Sequence, residues 1–216
     1  MSKRLTRVIT RIKEKTLSYG RMSQEAMEKA LLALLDGDPL AYETIRQDEV
    51  ELDAIEVEIE ESILGAIALH QPVADDLRLL AALLKITNDL ERIGDYAVKV
   101  AKRAQSIDPL LLATIRPHFE ELGDRSIQML KDALLALSAG DGALAQRVRD
   151  ADDEVDDLNK DIIQNLLEAG DEDVSSVVYL ISVSRRFERA ADHATNIAED
   201  VLYWLEGRIM RHGESS

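Results

Sequence analysis

The chain contains no cysteine. Disulfides, thiolate metal sites and cysteine nucleophiles are thereby excluded. Aromatic residues are scarce, at 4%. Leu, Ala, Ile and Glu dominate instead, a composition that favours helix over sheet. The four prolines and ten glycines fall mostly between long apolar-periodic runs. No apolar stretch approaches the ~18 uninterrupted residues of a membrane span. The opening "MSKRLTRVITRIKEK" is charged every few residues and lacks the apolar segment of a secretory signal. No strand-like run leads into a glycine-rich phosphate loop, and no nucleophile elbow or Ser/His/Asp order stands out. These absences predict a soluble, cytoplasmic protein. Its 216 residues suffice for a packed core in one domain or two small ones.

Acid is what the chain has in excess. Its formal charge is -16, which argues against bulk attraction to nucleic acid. The excess is uneven, however. Residues 1–21 carry Lys3, Arg4, Arg7, Arg11, Lys13, Lys15 and Arg21 against Glu14 alone. Such a run is either a solvated helix face or a contact for an acidic partner or an anionic membrane surface.

Breakers divide the chain into six helical runs. The first spans roughly 4–35 and ends at "DGDPL". The second ends at "HQPVADDLR", where Pro72 suits the first turn of a new helix. The third reaches "SIDPL" with Pro109, the fourth the glycines at 140 and 142, and the fifth Gly170. The sixth ends at Gly207, a natural C′ residue. Short connections make successive helices antiparallel neighbours. The predicted fold is all-α: two tandem, pseudo-repeated antiparallel three-helix bundles, residues 1–106 and 107–216.

The duplication rests on a recurring stretch. "ERIGDYAVKVA" begins at Glu91, and "ERAADHATNIA" begins 97 residues later at Glu188. Helical geometry advances each residue by about 100°. Leu90, Ile86, Ile93, Ala97 and Val100 then share one apolar face of the third helix, while Arg78, Lys85, Asn88, Arg92, Lys99 and Arg103 share a wet one. Glu91 and Asp95 join neither. They continue a second stripe of Val73, Leu77, Leu80, Leu84 and Val98. On the sixth helix Glu188 and Asp192 likewise align with Val174, Val177 and Ile181.

A carboxylate on an apolar stripe costs free energy unless compensated, and two at i, i+4 repel mildly. The second and fifth helices offer more acids: Glu49, Asp53, Glu56 and Glu60 on one, Asp152 and Asp156 with Asn159 on the other. Each half thus holds two acid-x-x-x-acid pairs, Glu49/Asp53 with Glu91/Asp95 and Asp152/Asp156 with Glu188/Asp192. A single pair means little in a chain with 42 acids; the repetition in register is the signal. The acids are either ligands for a cation or solvated and Arg-paired surface groups. An oxygen-only set suits Mg²⁺, Ca²⁺, Mn²⁺ or iron. No histidine completes a Glu-x-x-His motif, and His193 is expected to be a helix-surface residue rather than a ligand. Tyr203 and Trp204 are expected to pack.

The segments "QPVADDLRLLAALLKITNDLERIGDYAVKVAKRA" and "RRFERAADHATNIAEDVLYWLEG", with "VELD" and "EVDDL" ahead of them, resemble the PhoU family of phosphate-transport accessory and signalling proteins. The resemblance covers essentially the whole chain. It implies a non-enzymatic negative regulator of phosphate uptake and of the phosphate-starvation response. It implies metal ions, with Fe, Mn, Mg and Zn as candidates, on Glu49, Asp53, Glu91, Asp95, Asp152, Asp156, Glu188 and Asp192. The implied partners are the ATPase of the phosphate ABC transporter, a membrane sensor histidine kinase and a second copy in a homodimer, with membrane association only through partners. The halves differ: Asp152 is a methylene shorter than Glu49, Ala191 answers Gly94, and P-x-x-x-D-L-R occurs only in the first. These departures weigh against equal metal occupancy. A metalloenzyme on a helical bundle and a plain helical scaffold are the rival readings.

Overall fold

The computed structural model describes residues 3–38, 40–169 and 173–207. They form seven helices: α1 Lys3–Asp36, α2 Ala41–His70, α3 Ala74–Ala104, α4 Pro109–Ala139, α5 Gly142–Asp150, α6 Asp152–Ala169 and α7 Val174–Glu206. No strand occurs among the described residues. The fifth predicted run is therefore two helices. They part at Ala151, whose N–H is shared between the carbonyls of Arg147 and Val148. Pro72 precedes the extended N-cap residue Val73 of α3 instead of standing in its first turn.

Helix ends follow local chemistry. Asp108 caps α4 by accepting from the Leu110 N–H, with Pro109 at the first position, where a missing N–H costs nothing. Gly140 and Gly207 close α4 and α7 at φ 66° and 70°, a left-handed geometry that favours glycine. Ser176 binds the junction between the halves: its hydroxyl accepts from the Asp108 N–H at 2.8 Å and donates to Asp173.

α1, α2 and α3 pack on one another, and so do α4, α5, α6 and α7. The two groups meet through α1 on α4 and through α3 on α7, leaving α2, α5 and α6 outside that contact. One continuous core runs through both. The inward faces read from periodicity are there: Ile86, Leu90, Ile93, Ala97 and Val100 are buried, as are Val183, Phe187, Ala194 and Val201. The second stripe is different. Leu80 is buried, but Val73 and Leu77 are exposed, as are Val50, Val57 and Leu64 on α2. It is a half-wet shelf and not a core face.

The α1–α4 contact shows the duplication in atoms. Gly20 lies against the δ-methyls of Leu134, and Gly123 lies against those of Leu31. Each glycine and each leucine is displaced 103 residues from its counterpart. A Cβ on Gly123 would stand 2.6 Å from Leu31 Cδ1. Two helices thus approach through a reciprocal leucine-on-glycine contact, related by a local two-fold.

Candidate metal centre

The shelf between α2 and α3 carries the first acidic group. Glu49 and Glu91 are half-buried and Asp53 is exposed. Burial first, then Asp95 and Asp53, pushes the Glu49 carboxyl above the usual carboxylate range. Glu91 is raised chiefly by burial, with Arg92 and Lys99 opposing and Asp95 and Asp53 reinforcing. Two residues outside the expected set join them. Glu56, three residues beyond Asp53, is raised by burial and then by Glu91, Glu60 and Asp53. Tyr19 on α1 is 1% exposed. Burial, and then Glu56, Glu91, Asp53 and Asp95, pushes its phenol well up. The i, i+3 spacing of Glu56 was a readable signal; nothing local to α1 marked Tyr19.

Cations already claim part of this group. Lys99 Nζ donates to Asp95 Oδ2 at 2.6 Å, and Arg92 Nε stands 3.3 Å from Glu91 Oε2. An acid held by a lysine four residues ahead on its own helix is compensated without a metal. The four expected acids of this half are electrostatically coupled, but among the described residues they present no cluster of three ligand atoms within 4.8 Å.

The second half does. One carboxylate oxygen each from Asp156, Glu188 and Asp192 lies within 4.8 Å of the others. Asp156 comes from α6 and the other two from α7, all half-buried. Burial raises the Glu188 carboxyl, and Asp192, Asp156 and Asp152 add to the rise against Arg189. Asp152 opens α6, where an acid suits the helix dipole, and accepts from Thr195 Oγ1 at 3.0 Å. Asn159 lies one turn past Asp156 and is 8% exposed. Its Oδ1 is buried and receives no hydrogen bond among the described residues. Three carboxylates converging from α6 and α7 form the oxygen-donor set that a hard or borderline cation takes, and the orphaned Asn159 oxygen lies one turn along α6. The residues fit such an ion.

His193 stands elsewhere. Its Nδ1 is 2.7 Å from Asp89 Oδ1 and its Nε2 is 3.2 Å from the Tyr96 hydroxyl. Both ring nitrogens are engaged across the α3–α7 seam, so the residue is part of an inter-helix contact and not the plain surface histidine expected. Lys85 donates to Asp200 at 2.7 Å on the same seam. Trp204 packs on the core edge, with Lys13 Nζ 4.8 Å over its ring.

The fold and site define a class: a duplicated all-helical bundle with paired acids on the last two helices of each half, which converge into a cluster in the second. The PhoU domain family model matches residues 16–104 and 119–201, one copy per half. A phosphate-specific transport system accessory protein PhoU homolog from Xylella fastidiosa is 34% identical over 209 residues, covering 95% of this chain and 86% of that relative. The crystal structure of PhoU from Pseudomonas aeruginosa superposes with a TM-score of 0.87 at 31% identity, over 94% of this chain and 99% of that one. The phosphate transport system regulatory protein PhoU from Streptococcus pneumoniae shares the fold, with a TM-score of 0.90 at 24% identity over 96% and 99% of the two chains. The chain belongs to the PhoU family.

Proposed function

We propose that this protein is an accessory protein of phosphate-specific transport that represses phosphate uptake and phosphate-starvation signalling. It acts without catalytic turnover, as an adaptor between the transporter ATPase and a membrane sensor histidine kinase. Residues 1–106 and 107–216 serve as its two domains. The observation that carries this reading is the match of both halves to relatives named as phosphate-specific transport accessory proteins.

Asp156, Glu188 and Asp192, with Asn159 and Asp152 beside them, would hold the metal; Glu49, Asp53, Glu91 and Asp95 form the second, weaker candidate. A bound cation supplies positive charge that offsets carboxylate repulsion and ties α6 to α7. The chain's own residues set the order of the two halves. Lys99 competes for Asp95 in the first, whereas the second brings three carboxylates together.

Deleting the gene should derepress phosphate-scavenging genes in phosphate-rich medium, and wild-type complementation should restore repression. Unchanged expression in the deletion strain refutes the regulatory reading. Elemental analysis of protein purified without chelators tests the metal separately: Glu188→Gln with Asp192→Asn should remove most of the bound ion.

A further inference from the structure

The basic start of the chain takes no part in the carboxylate site. In the structure it borders an open groove of about 1010 Å³ between α1 and the C-terminal half of α2. Lys3, Arg7 and Arg11 stand exposed along one wall, spaced by one helical turn. The floor is small and apolar, with Val8 from α1 and Gly65 and Ala66 from α2, and Leu69 of α2 stands at the rim. Leu69 is 81% exposed. The acid that lines the groove, Glu58 of α2, is paired with Lys15 of α1. Lys3, Arg7 and Arg11 form no ion pair among the described residues.

The internal repeat tests whether the fold itself needs these cations. The register that relates Gly20 to Gly123 and Leu31 to Leu134 places Ser106, Leu110 and Thr114 where the first half has Lys3, Arg7 and Arg11. Ser106 precedes α4, which begins at Pro109, and Leu110 and Thr114 lie in its first turns, so the second half builds the corresponding helix without cations at these positions. Like charges at i, i+4 also repel, so packing does not explain the cluster in a chain of net charge -16.

We propose that this groove docks an acidic, amphipathic segment of a protein partner. Its carboxylates would face Lys3, Arg7 and Arg11, and its apolar side chains would cover Val8, Ala66 and Leu69. Complementary charge favours such a segment over a basic or neutral one. Concavity favours a chain segment over a bilayer, because an anionic membrane is met by a flat or convex face, and here Val8 and Ala66 lie on the floor between two helices. The inference stands apart from the metal reading, since no residue of the groove belongs to either acidic cluster.

A displayed library of random peptides about sixteen residues long, enough for four helical turns, tests it on the full chain. Selection on the wild type should yield net-acidic peptides with apolar residues at i, i+3, i+4 and i+7. Recovered peptides should bind Arg7→Glu/Arg11→Glu protein at least about tenfold more weakly and weaken as salt rises. Gly65→Trp fills the groove without altering charge, and a Cβ there meets nothing within 4 Å. It should weaken binding as much. Leu69→Glu, at an exposed position, repeats the block should the tryptophan variant misfold. Failure to recover binders, absence of acidic bias, or peptides indifferent to Gly65→Trp and Leu69→Glu would overturn the proposal. So would binding to phosphatidylglycerol vesicles that Arg7→Glu/Arg11→Glu abolishes and Gly65→Trp spares, which would make the row a membrane contact. Metal content should be the same in all four proteins, which separates this outcome from any failure at the carboxylates.

Discussion

Replacing Asp200 by Asn should stabilise the protein at neutral pH, by an amount that vanishes in acid. The Asp200 side chain is 10% exposed on the α3–α7 seam. Burial raises its carboxyl to about 6, opposed by the hydrogen bond and charge of Lys85 and reinforced by Asp89 and Glu199. In an unfolded chain the same group titrates near 4. Between those values the native carboxyl keeps a proton that the unfolded one has lost. Its contribution to stability is therefore complete below about pH 4 and is lost as pH rises through about 6. The gap corresponds to about 3 kcal/mol at most. Asn retains an acceptor for Lys85 and carries no charge to desolvate. Lys85 is 61% exposed, so weakening the pair leaves the lysine solvated, unlike the breaking of a fully buried ion pair. Urea unfolding should show Asp200→Asn to be more stable by about 2–3 kcal/mol at neutral pH and within ~0.5 kcal/mol near pH 4. A variant destabilised at neutral pH would mean that the Lys85 pair outweighs desolvation. A difference independent of pH would remove the titration argument altogether.

Gly123→Ala should cost about 1–3 kcal/mol through overpacking against Leu31, less the ~1 kcal/mol that alanine gains in a helix. Gly20→Ala should behave alike through Leu134, and denaturant midpoints measure both; a clear cost at one site with none at the other would break the local two-fold. Lys99→Ala frees Asp95, so metal bound per chain, read by elemental analysis, should rise toward a second site. An unchanged ratio would show that Lys99 is not what separates the halves.

Much of the fold was readable because its signals are local. Asp108, Pro109, Gly140 and Gly207 end or begin helices through their own backbone chemistry, and a 3.6-residue period marks Ile86, Leu90, Ile93 and Ala97 as inward whatever they meet. The break at Ala151 was not marked by a proline or glycine and was missed. The duplicated couplets placed the acids on matching helices. Even Lys99, four residues beyond Asp95, was a local pairing in plain view.

Periodicity assigns a residue to a face but not to the neighbour that covers it. The stripe of Val73 and Leu77 aligned with apolar neighbours and is nonetheless exposed, because α2 lies outside the α1–α4 and α3–α7 contacts. Tyr19 lies in the field of acids on two other helices, and His193 meets Asp89 and Tyr96 across 104 and 97 residues, separations that no pattern within a helix encodes. Apart from the break at Ala151, the helices, their caps and their repetition were legible without the fold, since these depend on residues a turn apart. Only the tertiary structure decided that Asp156, Glu188 and Asp192 converge while Asp95 turns to Lys99. Convergence depends on how two helices cross, and a carboxylate that can be satisfied by a cation one turn away need not reach across.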